Sequence, residues 1–245
     1  MKYREISSTI PSASKSRKIV LLMNVIQANL EELNRRINQA CERSHRSPND
    51  VRLVAVTKGQ PVATIKAAFD CGIRDFGENR IQEARPKIEQ LADLRPHLTW
   101  HMVGHIQTNK AKLAARLFDI IHSVDSMKLA QVLHRQATET LPVLIQVNVS
   151  REDTKNGFEV EDVASAVTEI SKLTNLEIKG LMTIAPITDD PEDVRPMFRQ
   201  LRQMRDSLGL KHLSMGMTDD FEVAIEEGAT MIRTGRAIFT GRRKQ

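Results

Sequence analysis

Residues 51–72 read VRLVAVTKGQPVATIKAAFDCG, and this stretch contains one complete strand–helix unit. The β-branched run over 51–58 predicts a strand that ends before Gly59. Pro61 begins a helix whose apolar side chains recur with helical spacing, and Gly72 ends it. The same succession of a β-rich run and a helical pattern recurs along the rest of the chain.

Counting the β-rich runs predicts eight strands, over 51–58, 75–79, 99–104, 120–125, 142–149, 176–184, 212–217 and 231–235. Each strand after the first follows a helix, which implies parallel pairing with right-handed crossovers. Eight units in ~230 residues predict an α/β fold, the (β/α)8 TIM barrel. A long N-terminal helix over about 18–45 would cover the place of a missing eighth helix. The alternative is an open doubly wound sheet, but no G-x-G-x-x-G follows the first strand.

The composition is that of a globular protein. Of the 245 residues, 40% are hydrophobic and 27% are charged, which excludes a disordered chain. No run of about 18 apolar residues occurs, so we expect no membrane span. Cys41 and Cys71 lack metal-site spacing and cannot form a disulfide framework, which favours a cytoplasmic setting. We expect a flexible tail over 1–17, or alternatively a transit peptide there, and a single domain over 18–245.

In a barrel of this kind the site is built where the strands end. Lys58 ends the first strand, and partial desolvation at the barrel mouth would favour its neutral amine, a nucleophile that can form a Schiff base with a carbonyl. The alternative is an ammonium that reaches water at the rim.

The loops after the seventh and eighth strands form the usual phosphate site of this fold. Ser214 offers a hydroxyl there, and Gly216 and Gly235 allow close approach to backbone N–H groups, with ordinary tight turns as the alternative. Asp219 and Asp220 are expected to cap the next helix, because carboxylates repel phosphate.

A Schiff-base lysine and a phosphate cradle at one barrel mouth describe a pocket for a phosphorylated aldehyde, of which pyridoxal 5′-phosphate (PLP) is the commonest cofactor. Arg233, at the end of the last strand, would face the pyridine nitrogen and leave it unprotonated, because an arginine keeps its proton. The alternative for Arg233 is an ion pair with a carboxylate at a strand end. No metal site is expected, since His101 and His105 lie on a strand-to-loop segment.

Several separate stretches, in the same order, resemble the pyridoxal-phosphate homeostasis protein family. They are VAVTK (54–58), FGENRIQEA (76–84), WHMVGHIQTNK (100–110), SVD (123–125), QVNVSREDTKNGF (146–158), KGLMTI (179–184), LSMGMTDDFEVAI (213–225) and MIRTGRAIF (231–239). The resemblance covers about residues 19–240. Members of this family resemble the N-terminal barrel of alanine racemase without its second domain.

The resemblance implies a covalent PLP lysine, a phosphate-binding turn, an arginine at the pyridine nitrogen and backbone contacts from the last loop. The cofactor-binding residues that it assigns are Lys58, Asn79, Ser214, Gly216, Met217, Arg233, Gly235 and Arg236. Arg236 stands where many members have a threonine that helps to hold the phosphate. Its charge would either replace that hydroxyl or point away.

The function that the resemblance implies is PLP binding for PLP homeostasis, without strong enzymatic turnover. The sequence adds a physical reason, because racemase chemistry needs an acid–base on the opposite ring face and the single tyrosine, Tyr3, lies in the tail. The alternatives are a PLP-dependent racemase or lyase of unknown substrate and, without PLP, a phosphate-binding aldolase that uses Lys58. A nucleic-acid binder is disfavoured, because much of the +5 net charge lies at the chain ends. We expect a monomer, with PLP-dependent enzymes or a small regulatory protein as further partners.

Overall fold

The computed structural model describes residues 13–152 and 156–240, and within them eight parallel strands close into a barrel. The strands are β1 (Arg52–Val56), β2 (Asp75–Glu78), β3 (Thr99–Met102), β4 (Ile120–Val124), β5 (Leu141–Gln146), β6 (Leu176–Met182), β7 (His212–Ser214) and β8 (Met231–Thr234). Each strand pairs with the next in chain order, and β8 pairs with β1, with Arg52 opposite Met231. The predicted barrel is confirmed, and the open sheet is excluded.

Helices alternate with the strands. They are α1 (Ala13–Arg43), α2 (Val62–Asp70), α3 (Ile81–Gln90), α4 (Ala111–Leu117), α5 (Met127–Gln136), α6 (Val163–Ile170), α7 (Arg195–Ser207), α8 (Phe221–Glu226) and α9 (Arg236–Phe239). The first helix begins at Ala13 rather than near residue 18, so it includes the end of the predicted tail. The rest of that tail, over 1–12, lies outside the described residues. No described helix combines the length and the apolar character that crossing a membrane requires.

The long helix α1 takes the place of an eighth outer helix. It packs against α2, α8 and α9, and its buried side chains recur at helical spacing in Ile26, Leu30, Leu33 and Ile37. Asn29 Nδ2 also donates a hydrogen bond at 2.8 Å to the main-chain oxygen of Ile238, in α9. Only the four-residue α9 follows β8 among the described residues. The prediction that the N-terminal helix covers this gap is confirmed.

Side chains alternate in direction along each strand, so one set of buried side chains faces the outer helices and another faces the barrel interior. Most of the core belongs to one large cluster that includes the outer helices, and strand residues such as Ile121, Leu213 and Ile232 belong to it. Successive strand residues face opposite sides, so the adjacent residues face the barrel interior. That interior holds a small apolar group of Ile120, Leu144, Met182 and Met231. It also holds buried polar side chains, His101, His122, Ser214 and Arg233.

Candidate cofactor site

A cavity of about 430 Å³ opens at the carboxyl ends of the strands, a volume typical of small-molecule sites. Segments that follow β1, β2, β3, β6, β7 and β8 form its wall. The sequence-predicted residues that line it are Lys58, Asn79, Met217, Arg233, Gly235 and Arg236. Ser214 and Gly216 do not line it, although Ser214 hydrogen-bonds to Arg233 behind the wall.

Lys58 lies on the loop that follows β1 and is exposed at the cavity mouth. The expected partial desolvation of its amine is therefore not seen, because water reaches the side chain. Its position is what makes it the candidate nucleophile, since it is the one lysine among the described residues that line the cavity.

A buried ion pair lies directly beneath the loop that carries Lys58. Glu78, at the end of β2, is fully buried and accepts hydrogen bonds from Lys87 Nζ at 2.7 Å and from Thr57 Oγ1 at 2.6 Å. Lys87, which projects from α3, also donates to Thr57 O at 2.8 Å. Burial raises the pKa of Glu78, while the hydrogen bonds from Lys87 and Thr57 oppose that rise. The ion pair thus fixes the residue that precedes Lys58.

Glu83 fixes the residue on the other side of Lys58. Its Oε1 accepts from the Gly59 N–H at 2.5 Å and from Lys87 Nζ at 2.6 Å. Burial works against ionisation of Glu83, but the hydrogen bonds from Lys87 and Gly59 outweigh it and lower the pKa of this carboxyl. We call Thr57, Gly59, Glu78, Glu83 and Lys87 the Lys87 cluster. The sequence analysis assigned no role to Glu78 or Lys87.

Arg233 is a buried cation, only 4% exposed, on the cavity wall. Its Nη1 donates to Ser214 Oγ at 2.5 Å and its Nη2 donates to Thr183 O at 2.8 Å. No carboxylate among the described residues hydrogen-bonds to it, so the alternative ion pair does not form. Burial lowers the pKa of Arg233 to about 10, and the nearby charge of Asp220 opposes that fall. Because a guanidinium carries five N–H donors, Arg233 retains donors for an acceptor in the cavity.

The loop after β7 is closed by its own carboxylate. Asp220 Oδ1 accepts from the Met217 N–H at 2.5 Å, and burial raises the pKa of Asp220 while this bond opposes the rise. The N-terminus of α8 receives no side-chain hydrogen bond from Asp220. The other acid, Asp219, is exposed and pairs with Arg236 Nη2 at the cavity rim. Asp220 does occupy the N-cap position, as predicted, but neither carboxylate forms the predicted cap, because both bind partners elsewhere.

Gly216 occupies a position that excludes any side chain. Its φ is +90°, and a Cβ there would lie 2.5 Å from Ala224 Cβ and 2.9 Å from Phe221 Cα. We expect Gly216→Ala to lower the free energy of unfolding by about 1–3 kcal/mol from backbone strain and by about another 1–3 kcal/mol from overpacking, measured by urea denaturation. Gly72→Ala is the matched control, because φ is +98° but nothing lies within 4 Å of its added Cβ. Equal losses in the two variants would contradict tight packing of this loop on α8.

Two interior histidines were missed as site residues. His101 Nδ1 lies 2.9 Å from His122 Nε2, and His122 Nδ1 lies 2.8 Å from Ser214 Oγ. Burial, together with the positive charge of Arg233 and the neighbouring His101, lowers the pKa of His122 well below its ordinary value. The available signal was their place on inward-facing positions of apolar strands. Among the described residues no group of three potential metal ligands occurs, so these histidines are not part of such a group.

The fold and the cavity place the chain in the class of alanine racemase N-terminal-domain barrels, whose family model, "Alanine racemase, N-terminal domain", matches residues 28–243. A "Pyridoxal phosphate homeostasis protein" of Aquifex aeolicus (strain VF5) is 44% identical, over 88% of this chain and 97% of its own length. The chain belongs to the pyridoxal phosphate homeostasis protein family, as its motifs predicted.

Two solved structures share the fold over nearly their whole length. PipY of Synechococcus elongatus PCC7942, solved with PLP bound, is 38% identical with a TM-score of 0.76, over 87% of this chain and 99% of PipY. An unknown protein from Bifidobacterium adolescentis is 35% identical with a TM-score of 0.83, over 89% of this chain and 96% of that protein.

Proposed function

We propose that this chain binds PLP at the barrel mouth, holds it as a Schiff base with Lys58 and serves PLP homeostasis without strong enzymatic turnover. The observation that carries the proposal is that Lys58, Asn79 and Arg233 line one cavity of about 430 Å³. Membership of the pyridoxal phosphate homeostasis protein family supports it, as does the PLP bound to PipY.

The residues on the cavity wall suit the polar groups of PLP. Lys58 offers an amine for the aldehyde, and Arg233 offers N–H donors for the pyridine nitrogen. The Asn79 Oδ1 atom is buried without a hydrogen-bond partner among the described residues, so a donor on the ligand would satisfy it. These three residues therefore fit the cofactor.

The phosphate is proposed to lie at the loops after β7 and β8. Gly235 and Arg236 line the cavity there, and Thr218 adds a hydroxyl that the sequence reasoning did not assign. Met217 also lines it, but its N–H is already bound to Asp220. Arg236 pairs with Asp219 through Nη2 alone, so its remaining N–H groups are donors for the phosphate.

Lys58 forms the covalent link through its unprotonated amine. The nitrogen adds to the aldehyde carbon, a C=N bond forms, and the aldehyde oxygen leaves as water with the two amine protons. PLP supplies an electron-withdrawing ring when bound, but Arg233 leaves the pyridine nitrogen unprotonated and so weakens it as an electron sink. None of the described residues that line the cavity is a tyrosine, so none supplies the acid–base group that racemase chemistry needs. These features favour holding the cofactor over turning over amino acids.

The cellular setting that we propose is the cytoplasm, on the ground that Cys41 and Cys71 are both free thiols. A monomer is the proposed state. PLP-dependent enzymes or a small regulatory protein are the proposed partners, as receivers of the cofactor or regulators of its release.

Borohydride trapping tests the covalent lysine. The purified protein is mixed with PLP, its visible absorption is recorded, and the complex is reduced, digested and mapped by mass spectrometry. We expect one modified peptide with the adduct on Lys58, whereas exposed Lys66 on the neighbouring helix stays unmodified. An adduct on a different lysine would refute the site, and a colourless protein without any adduct would favour the aldolase alternative. Rapid exchange of the alanine α-proton would contradict the absence of turnover.

A further inference from the structure

A hydrogen-bonded chain of buried side chains crosses the barrel from the cavity to the amino ends of the strands. Asp75 Oδ1 lies 2.8 Å from His101 Nε2, and His101 Nδ1 lies 2.9 Å from His122 Nε2. Ser214 Oγ lies 2.8 Å from His122 Nδ1 and 2.5 Å from Nη1 of Arg233. Both histidines and Ser214 are fully buried. We call these five residues the Asp75–Arg233 chain.

The two ends of the Asp75–Arg233 chain fix the direction of every hydrogen bond when both imidazoles are neutral. A guanidinium only donates, so the Ser214 oxygen accepts from Arg233 and its hydroxyl proton goes to His122 Nδ1. His122 then donates from Nε2 to His101 Nδ1. His101 in turn donates from Nε2 to the carboxylate of Asp75, which can only accept when ionised. Both histidines must therefore carry their proton on Nε2.

Burial supports the neutral state of His122 that this direction requires. His122 is enclosed by the barrel beside the guanidinium of Arg233, and both circumstances lower its pKa. At its other end the Asp75–Arg233 chain stops at Asp75, which also lies 3.4 Å from Nη1 of Arg52. With both imidazoles neutral, three neutral groups separate the two charged ends.

We propose that His101 and His122 are positioning residues for the cofactor: they hold the Ser214 oxygen as an acceptor for Arg233 and so aim the guanidinium at the pyridine nitrogen. The inference rests on the proposed function. It gives Ser214 a role different from the phosphate contact predicted from the resemblance, because the hydroxyl proton is committed to His122.

Two anchors define the plane of the guanidinium. Ser214 Oγ holds Nη1 and Thr183 O holds Nη2, and the second anchor is a main-chain atom that does not turn. The first anchor is a hydroxyl that rotates unless its proton is held. His122 holds that proton, and His101 holds His122 in the tautomer that can do so. Loss of either histidine would free the hydroxyl and loosen Arg233.

The affinity for PLP compared with its 1-deaza analogue, in which carbon replaces the pyridine nitrogen, measures how well Arg233 is aimed. We expect the wild-type protein to prefer PLP by about tenfold or more, as is typical of a hydrogen bond to a charged group. His122→Phe is expected to reduce the preference to near one. His122→Gln should keep it, because an amide oxygen and an amide N–H can replace the acceptor and the donor.

His212→Gln is the matched control. His212 is a half-buried histidine on β7 that pairs with Thr230 at 3.2 Å and lies outside the Asp75–Arg233 chain. It should keep the wild-type preference. A wild-type protein that binds neither compound would refute the proposed function. A wild-type protein that binds both equally would refute the contact of Arg233 and this inference with it, and an unchanged preference in His122→Phe would refute the inference alone.

A second measurement needs no variant and decides the case if His122→Phe does not fold. Two-bond ¹H–¹⁵N correlation spectra of the ¹⁵N-histidine-labelled wild-type protein report the tautomer of each ring. We expect His101 and His122 to be neutral and protonated on Nε2. A proton on Nδ1 of either ring would reverse the direction of the hydrogen bonds and overturn the inference.

Discussion

Replacing Lys58 with alanine is expected to abolish borohydride-stable attachment of PLP. Because the C=N bond can form only on a primary amine at the cavity mouth, we expect the affinity to fall by at least about 100-fold, equivalent to ~2.7 kcal/mol. The measurements are retention of PLP on gel filtration and mass spectrometry after reduction. The folded state should be unaffected, since Lys58 is exposed and the Lys87 cluster binds its neighbours rather than its amine.

Lys58→Arg separates the covalent role from the charge. Arginine keeps a cation at the cavity mouth but cannot supply the amine, so it should lose attachment as fully as the alanine variant. Lys66→Ala, an exposed position on α2, is the control for the loss of one positive charge and should retain attachment. Attachment that survives in Lys58→Arg would show that another lysine carries the cofactor.

Replacing Lys87 with methionine is expected to lower the free energy of unfolding at neutral pH by about 3–5 kcal/mol, measured by urea denaturation. The physical reason is that Glu78 is fully buried and would lose the ion pair with Lys87. The loop that carries Lys58 would also lose the bonds from Lys87 to Thr57 and Glu83. We therefore expect slower attachment of PLP in the fraction that stays folded. Lys66→Met is the control and should cost little.

The loss in Lys87→Met should depend on pH. Burial raises the pKa of Glu78 in the folded protein, and removal of Lys87 takes away a hydrogen bond that opposes that rise. In the unfolded chain a glutamate titrates near pH ~4.3. An acid whose pKa is higher in the folded protein costs no stability below its unfolded pKa, because it is protonated in both states. It lowers the stability of the folded state as the pH rises from the unfolded pKa through the folded pKa. The variant should therefore be closer to wild type at about pH 5 than at about pH 8.

A second substitution tests whether the buried carboxylate of Glu78 causes the lost stability. Adding Glu78→Gln to Lys87→Met removes the buried charge, and it should restore most of the lost stability and abolish the added pH dependence. A double variant that is no more stable than Lys87→Met would show that the loss comes from packing of the lysine stem and not from an uncompensated carboxylate.

The strands were predictable because apolar β-branched runs and helix boundaries alternate clearly, but their ends were set by contacts. The predicted strand over 142–149 ends at Gln146, and Val147 forms only an isolated bridge to Phe158. The predicted strand over 212–217 ends at Ser214, because the chain turns at Gly216 with a φ of +90°. The strands are therefore shorter than the apolar runs predicted, because backbone pairing and turns decide where each strand ends.

The residues at strand ends were predictable for the same reason, since parallel strands bring their carboxyl ends together. Lys58, Asn79 and Arg233 follow from position in this way, and they line one cavity. What could not be predicted depends on distances across the barrel. The contact of His101 with His122 depends on how β3 and β4 pair, and in that pairing His101 lies opposite Ile120.

The exposure of Lys58 and the partner of Arg236 depend on loops that the sequence does not define. Lys58 was expected to be partly desolvated, yet the loop after β1 leaves it open to water. Arg236 departs from the family pattern, and its pairing with Asp219 joins the segments after β8 and β7. Both outcomes follow from side chains that meet only in the closed barrel.

Helix α1 takes the place of an eighth outer helix, and this has a consequence for biosynthesis. Helix α1 leaves the ribosome before the other described helices, yet it must cover α8 and α9, which come after them. Until β8 is released, β1 has no neighbour on that side and presents an unpaired edge to other nascent chains. The cylinder is therefore sealed only after translation of β8.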